Sequence, residues 1–157
     1  MSEQVLERAA GVPADGPLAE ALAKRSRLMA LTQASHDAAL LPTTPGGLSY
    51  RERAALAARI ATLCADAPLA AHYAELAGDL PRWATPHVPG DDARIDAMLA
   101  YTDKITLSPR DAVPGDIDAL RAAGLGDDDV VRLAGLVAFV NYQLRVAAVL
   151  RAMGEGA

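Results

Sequence analysis

Between Leu48 and Tyr73 the chain reads L-S-Y-R-E-R-A-A-L-A-A-R-I-A-T-L-C-A-D-A-P-L-A-A-H-Y, and this stretch constrains the fold more than any other. Leu56, Ile60 and Leu63 recur at helical spacing, with Ala55 and Ala61 beside them. Ser49 and Glu52 form the S-x-x-E signature of a helix start, in which each side chain accepts from the other residue's backbone N–H. Arg51, Arg53 and Arg59 are placed to reach water. Cys64-Ala65-Asp66-Ala67-Pro68 then breaks the pattern. Asp66 suits the cap of a second helix, and Pro68 its first turn, where a missing N–H costs nothing. The expectation is a helix, a corner, and a second helix from Pro68 to about Ala77 folded back on the first. That return brings His72 towards the Glu52 helix and leaves Cys64, the only cysteine, near the corner.

The remaining segments are also helical in pattern. Met1 to about Ala10 reads as a short helix, followed by a loop marked by Gly11, Pro13, Gly16 and Pro17. Leu18 to about Leu40 reads as one long helix, stopped by P-T-T-P-G-G. Asp79 to Asp92 is an irregular connector around Trp83, and Asp91 or Asp92 caps a helix running to about Leu107. Pro114 opens a short helix that Gly124 ends, and Asp127 to about Met153 forms the last long one. No segment alternates with period two, so the fold class is all-α. A single domain over 1–157 follows, with 1–16 a peripheral N-terminal segment and 154–157 a frayed tail. Placing Leu48 on Leu125 pairs Glu52 with Asp129, Leu56 with Leu133 and Ile60 with Val137, which suggests two pseudo-repeated helical units. The same offset sets Cys64 against Asn141.

A net charge of −5 and a pI near 5.1 argue against nucleic acid and against an anionic membrane surface as partners. Leu133 to Leu150 carries Asn141, Gln143 and Arg145, which is too polar for a membrane span. The N-terminus shows no secretory pattern, and one cysteine forms no internal disulfide, so a cytoplasmic location is expected. A mean hydropathy of +0.13 is high for a small domain and suggests apolar surface covered by another subunit.

The Leu48–Tyr73 stretch resembles the carboxymuconolactone decarboxylase and alkylhydroperoxidase D group. Peroxidases of that group carry Glu, eleven residues, Cys, two residues, Cys, three residues, His. Glu52 and Cys64 stand at the first two positions; Ala67 and Ala71 occupy the second cysteine and histidine positions, with His72 one residue late. S-H-D-A-A-L-L-P, G-G-L-S-Y-R-E-R, L-A-Y-T-D-K-I-T-L-S-P and F-V-N-Y-Q-L-R extend the resemblance to an uncharacterised peroxidase-related subgroup, over most of the chain beyond Leu18. The resemblance implies an AhpD-like helical bundle assembled as a trimer or hexamer. It also implies that the missing thiol at Ala67 is the peroxide-attacking one, while Cys64 matches the partner that closes the disulfide. A one-cysteine cycle then needs an external thiol reductant besides the hydroperoxide.

The candidate catalytic residues are Cys64, Glu52 and His72. Cys64 is either a redox thiol at a helix corner or a small buried apolar residue. Glu52 either relays protons with a histidine or only completes the capping box. His72 is either the base or a partly exposed helix residue, because a one-residue shift turns a helical side chain by about 100°. His36, near a helix C-terminus, either favours the local dipole or approaches the site. His72 and Glu75 stand three apart on one helical face and His36 could join them, but no H-E-x-x-H or E-x-x-H supports a metal, and no cofactor fingerprint is present. Asn141 and Arg145, polar within an apolar helix, either line a pocket or an oligomer seam or, as the favoured expectation, pair with acidic groups such as Asp103 or Asp116. Three functions remain open: weak hydroperoxide reduction through Cys64 at a degenerate site, thiol-free acid/base chemistry of the decarboxylase kind, and a non-catalytic oligomeric or small-molecule-binding module.

Overall fold

Alanine is a strong helix former, and its small side chain lets helix axes approach closely. The computed structural model, which describes residues 4–155, uses this property at its centre. Among the described residues there are eight α-helices and no strand: α1 (Val5–Ala10), α2 (Pro17–Ala23), α3 (Ser26–Leu40), α4 (Tyr50–Leu63), α5 (Ala67–Ala77), α6 (Ala93–Leu107), α7 (Pro114–Ala122) and α8 (Asp127–Glu155). The fold is all-α, as the sequence leads one to expect. Short 3-10 turns at Arg82–Ala84 and Pro109–Asp111 punctuate the connectors. The parts of the expected first helix and tail at 1–3 and 156–157 lie outside the described residues.

The central element is α4. Every residue from Arg53 to Ala61 is buried, and the helix packs on α3, α5, α6 and α8. Two of its arginines therefore do not reach water. Arg53 donates to the carbonyls of Leu48, Ala39 and Pro45 at 3.0, 3.0 and 2.7 Å. Arg59 holds both oxygens of Asp103 at 2.7 Å and donates to the carbonyls of Trp83 and Thr85. A guanidinium's five donors satisfy loop carbonyls that burial would otherwise leave unpaired. Only Arg51 is exposed, beside Asp79.

The α4 helix also packs on α8, its counterpart in the pseudo-repeat. Leu56 and Leu133, and Ile60 and Val137, are the matched pairs, and all four are fully buried. The matched acids are both tied to arginine, Glu52 to Arg94 and Asp129 to Arg132, each at 2.7 Å. Gly47 links the two anchors, since its N–H donates to Asp129 and its carbonyl accepts from Arg94. By length and hydropathy alone, α8 is long and apolar enough to cross a membrane. Half of its apolar window is buried inside the bundle, as in a core helix.

Three expectations about organisation change. The Leu18–Leu40 segment is two helices, with Arg25 leaving the helical region at φ −112° and ψ 23°. The break re-aims the chain, so that α3 runs along α8 while Leu18 is buried beside Gly154. The N-terminal segment is not peripheral. Val5, Leu6, Ala9 and Ala10 are core residues, because α1 closes over α8, α5 and α3. Gly154 and Glu155 continue α8 rather than fraying from it.

Candidate functional site

The α4–α5 corner is built by backbone geometry and one buried carboxylate. Ala65 enters the left-handed region at φ 56°, which lets the Asp66 N–H return to the Ala61 carbonyl at 2.9 Å and close the helix end. Asp66, 5% exposed, caps α5 through the Leu69 N–H at 3.0 Å. Both its oxygens also take Arg151 of α8, at 2.9 and 2.7 Å. Arg151 reaches the Ala9 carbonyl as well, so one ion pair joins α1, α5 and α8. The corner is rigid because a buried charge is tolerated only with its partners in place.

Cys64 sits on the outside of this corner, exposed, and its sulfur makes no hydrogen bond among the described residues. Burial of its inner side pushes the thiol pKa up and Asp66 adds to that, while Arg145 pulls the other way; the net direction is upward. Ala67 and Ala71, at the positions where the resembled peroxidases carry a second cysteine and a histidine, are also exposed.

Glu52 lies at the other end of α4. Twelve residues at the helical rise separate it from Cys64 by roughly 18 Å. Its carboxylate accepts from the Ser49 N–H at 2.8 Å and the Ser49 hydroxyl at 2.9 Å, completing the expected capping box, and from Arg94 at 2.7 Å. Half-burial alone raises its pKa, but the hydrogen bonds from Arg94 and Ser49 outweigh this and hold it below the ordinary value. It lines an open cleft of about 500 Å³ with Arg51, Arg82, Asp91, Asp92 and Trp83. None of its hydrogen bonds goes to Cys64 or His72.

His72 faces a third direction. It is half-buried on α5, whereas Ala71 is exposed, which is the turn expected of a one-residue shift. Its Nε2 lies 3.0 Å from Nε2 of His36, and its Nδ1 lies 3.0 Å from Nη2 of Arg8. His36, 3% exposed on α3, sets its Nδ1 2.9 Å from Asp37 Oδ1. Gln33 joins the group, donating to Asp37 at 2.9 Å and accepting from the Val5 N–H at 3.0 Å. Burial, then His36, then Arg8 push the His72 pKa down to about 4. The two histidines thus form a pair that sequence separation had concealed. The local sequence signal for the pair is Asp37, adjacent to His36. The structure does not bring Glu52, Cys64 and His72 together.

Two further polar groups differ from expectation. Asn141 donates to Thr106 and to the Val137 carbonyl, and Arg145 donates to the Asn141 carbonyl. Asp103 and Asp116 are already taken by Arg59 and Lys104. Tyr73 is fully buried and donates to Gln143, and burial pushes its phenol pKa upward. No group of three or more His, Cys, Asp or Glu with metal-binding geometry occurs among the described residues.

Comparison with known proteins gives a fold-level likeness. No family model matches the chain, and no curated protein matches it in sequence. Among solved structures, it is similar to an uncharacterised peroxidase-related protein from Silicibacter sp. TM1040, at 20% identity and a TM-score of 0.57, over 88% of this chain and 86% of that one. It is also similar to an AhpD-core, uncharacterised peroxidase-related protein from Ralstonia eutropha JMP134, at 25% identity and a TM-score of 0.56, over 82% of this chain and 71% of that one.

Proposed function

We propose that this chain, an AhpD-like protein by its fold, reduces hydroperoxides slowly and through one thiol, Cys64. The observation that carries the reading is the exposed strip Cys64, Ala67 and Ala71 at the α4–α5 corner. The resembled peroxidases hold cysteine, cysteine and histidine at those positions. Here all three stand on the accessible side, and only the first keeps its functional side chain.

The cycle balances with an external thiol. The Cys64 thiolate attacks one peroxide oxygen, the O–O bond breaks, and the departing alkoxide takes a proton from water to leave as alcohol. Sulfur is then a sulfenic acid. A reductant thiol condenses with it, releasing water and forming a mixed disulfide, and a second thiol frees Cys64 as the reductant's own disulfide. The raised thiol pKa keeps the thiolate scarce at neutral pH, which makes the first step slow. Glu52 and His72 take no part, since each is held elsewhere.

Hydrogen peroxide consumption by the wild type and Cys64→Ser, with dithiothreitol supplied, tests the reading. The variant should fall to the rate of buffer with dithiothreitol alone. Equal consumption by both proteins ends the thiol reading. A thiol-free acid/base reading would then draw on the His36–His72 contact, where two imidazoles meet edge to edge through their Nε2 atoms.

The same proposal includes self-association and a cytoplasmic setting, where reductant thiols are supplied. Leu28, Leu31 and Tyr142 are 54%, 56% and 43% exposed on α3 and α8. They line a groove of about 290 Å³ adjoining another of about 520 Å³, with Ser35 and Phe139 shared between the two. A second copy of the chain covers this face, and a sedimentation experiment that finds only monomer at micromolar concentration refutes it.

A further inference from the structure

With the Gln33 Nε2–H given to Asp37 at 2.9 Å rather than to His36 Nδ1 at 3.4 Å, the chain of contacts from Arg8 to Asp37 admits one arrangement of hydrogens. Arg8 only donates, so His72 Nδ1 must be bare, and the proton of the neutral ring sits on Nε2. That proton points at His36 Nε2, which must therefore be bare, leaving His36 Nδ1–H to donate to Asp37. Every ring nitrogen is occupied, and both imidazoles are neutral.

One added proton cannot be accommodated. On His72 Nδ1 it meets an N–H of Arg8 head-on. On His36 Nε2 it meets the His72 Nε2–H, unless His72 moves its own proton to Nδ1, where it again meets Arg8. Protonation that preserves the histidine pair thus ejects Arg8. The released guanidinium has somewhere to go. Arg8 and His72 line an open cleft of about 340 Å³ with Glu75 and Leu76. Arg8 is exposed, and it forms no carboxylate ion pair among the described residues.

The charges facing the pair are Arg8 from α1, Asp37 from α3 and Glu75 from α5, with uncharged Gln33 and Tyr73 completing the surroundings. Arg8 and Glu75 cancel at the cleft while the rings are neutral. Asp37 stays on His36 Nδ1 and does not line the cleft, so one proton on His72 leaves the lining cationic, with a guanidinium fork and an imidazolium N–H on the same opening. That combination matches a carboxylate, which accepts from both donors.

We propose that the Arg8–His72 cleft is a proton-coupled binding site for a small carboxylate, which displaces His72 Nδ1 as the partner of Arg8 while the histidine pair takes up one proton. This site is separate from Cys64 and stands whether or not the thiol turns over. Binding and protonation support each other: the ligand removes Arg8 from the ring, and the proton supplies the second donor.

The test is a histidine NMR titration of the full chain, labelled at the imidazoles, with sodium acetate as the probe and sodium chloride at equal ionic strength as the control. Acetate should move the His72 resonances saturably at about pH 5 and raise their titration midpoint by about one unit or more from the value near 4. Chloride should do neither. Arg8→Gln, a change at an exposed position, should keep the circular dichroism of the wild type and lose the acetate response. An equal response to chloride, or an unchanged acetate response in Arg8→Gln, overturns the proposal. So does acidification that moves Arg8 onto Glu75, shown by loss of the transition in Glu75→Gln with acetate inert.

Discussion

The two ends of α4 hold their chemical groups in opposite ways. At the N-terminal end Glu52 accepts three hydrogen bonds, two from Ser49 and one from Arg94. At the C-terminal end Cys64 is exposed and accepts none among the described residues. The acid is wholly employed in starting a helix and fastening α6 to it, so its presence needs no catalytic role. The thiol does no structural work, so its side chain can be removed without disturbing the fold. The lesson is that a motif position can be filled for a reason unrelated to the motif's chemistry, and hydrogen-bond partners distinguish the cases.

The sharpest way to break this contrast is to complete the thiol end. Ala67→Cys with Ala71→His adds exposed side chains one helical turn apart, and peroxide consumption should rise by about a hundredfold, the lower range of what a positioned acid–base group contributes. No rise would mean that the corner no longer has the shape the resembled peroxidases need. The corner's own rigidity is tested by Asp66→Ala. Losing the cap and stranding Arg151 should cost about 3 kcal/mol in urea unfolding, with the α4–α5 amides exchanging first.

Acidification probes the histidine pair. His72 titrates near 4 in the folded chain and near 6.5 unfolded, so between those values the unfolded chain binds more protons. Stability should therefore fall as the pH drops from about 6.5 towards 4, by about 1–2 kcal/mol after screening of the half-exposed ring. Thermal melts in His72→Gln should lose this dependence. Glu52 adds a separate acid limb. Its folded pKa lies below the ordinary 4.5, so its contribution is present above that value and disappears as the pH falls through the folded one. Glu52→Gln should cost about 1 kcal/mol at neutral pH and leave peroxide consumption unchanged. The smallest effect belongs to Cys64→Ser, within about 0.5 kcal/mol of wild type in stability while peroxide consumption is lost.

Much of the architecture is local in origin, and therefore legible. The Ser49–Glu52 box, the Asp66 cap and the Asp92 cap act within three or four residues, and each appears where spacing places it. The break at Arg25 was not legible, since it serves the packing of α3 on α8, two elements far apart in sequence. Arg53 and Arg59 read as surface residues by periodicity, yet α4 is enclosed on all sides and their heads serve distant loops.

The candidate site divides along the same line. Sequence alone determined that one thiol stands at a helix corner, that its companion positions carry methyl groups, and that His72 is turned from the histidine position of the resembled peroxidases. Those facts depend on residue identity and helical pitch. Only the tertiary structure decided that His72 meets His36 and Arg8, because α1, α3 and α5 must converge before those side chains can touch. It likewise decided that Glu52 stays with Arg94, since the helical rise holds the two ends of α4 apart and the Arg94 guanidinium of α6 reaches the carboxylate.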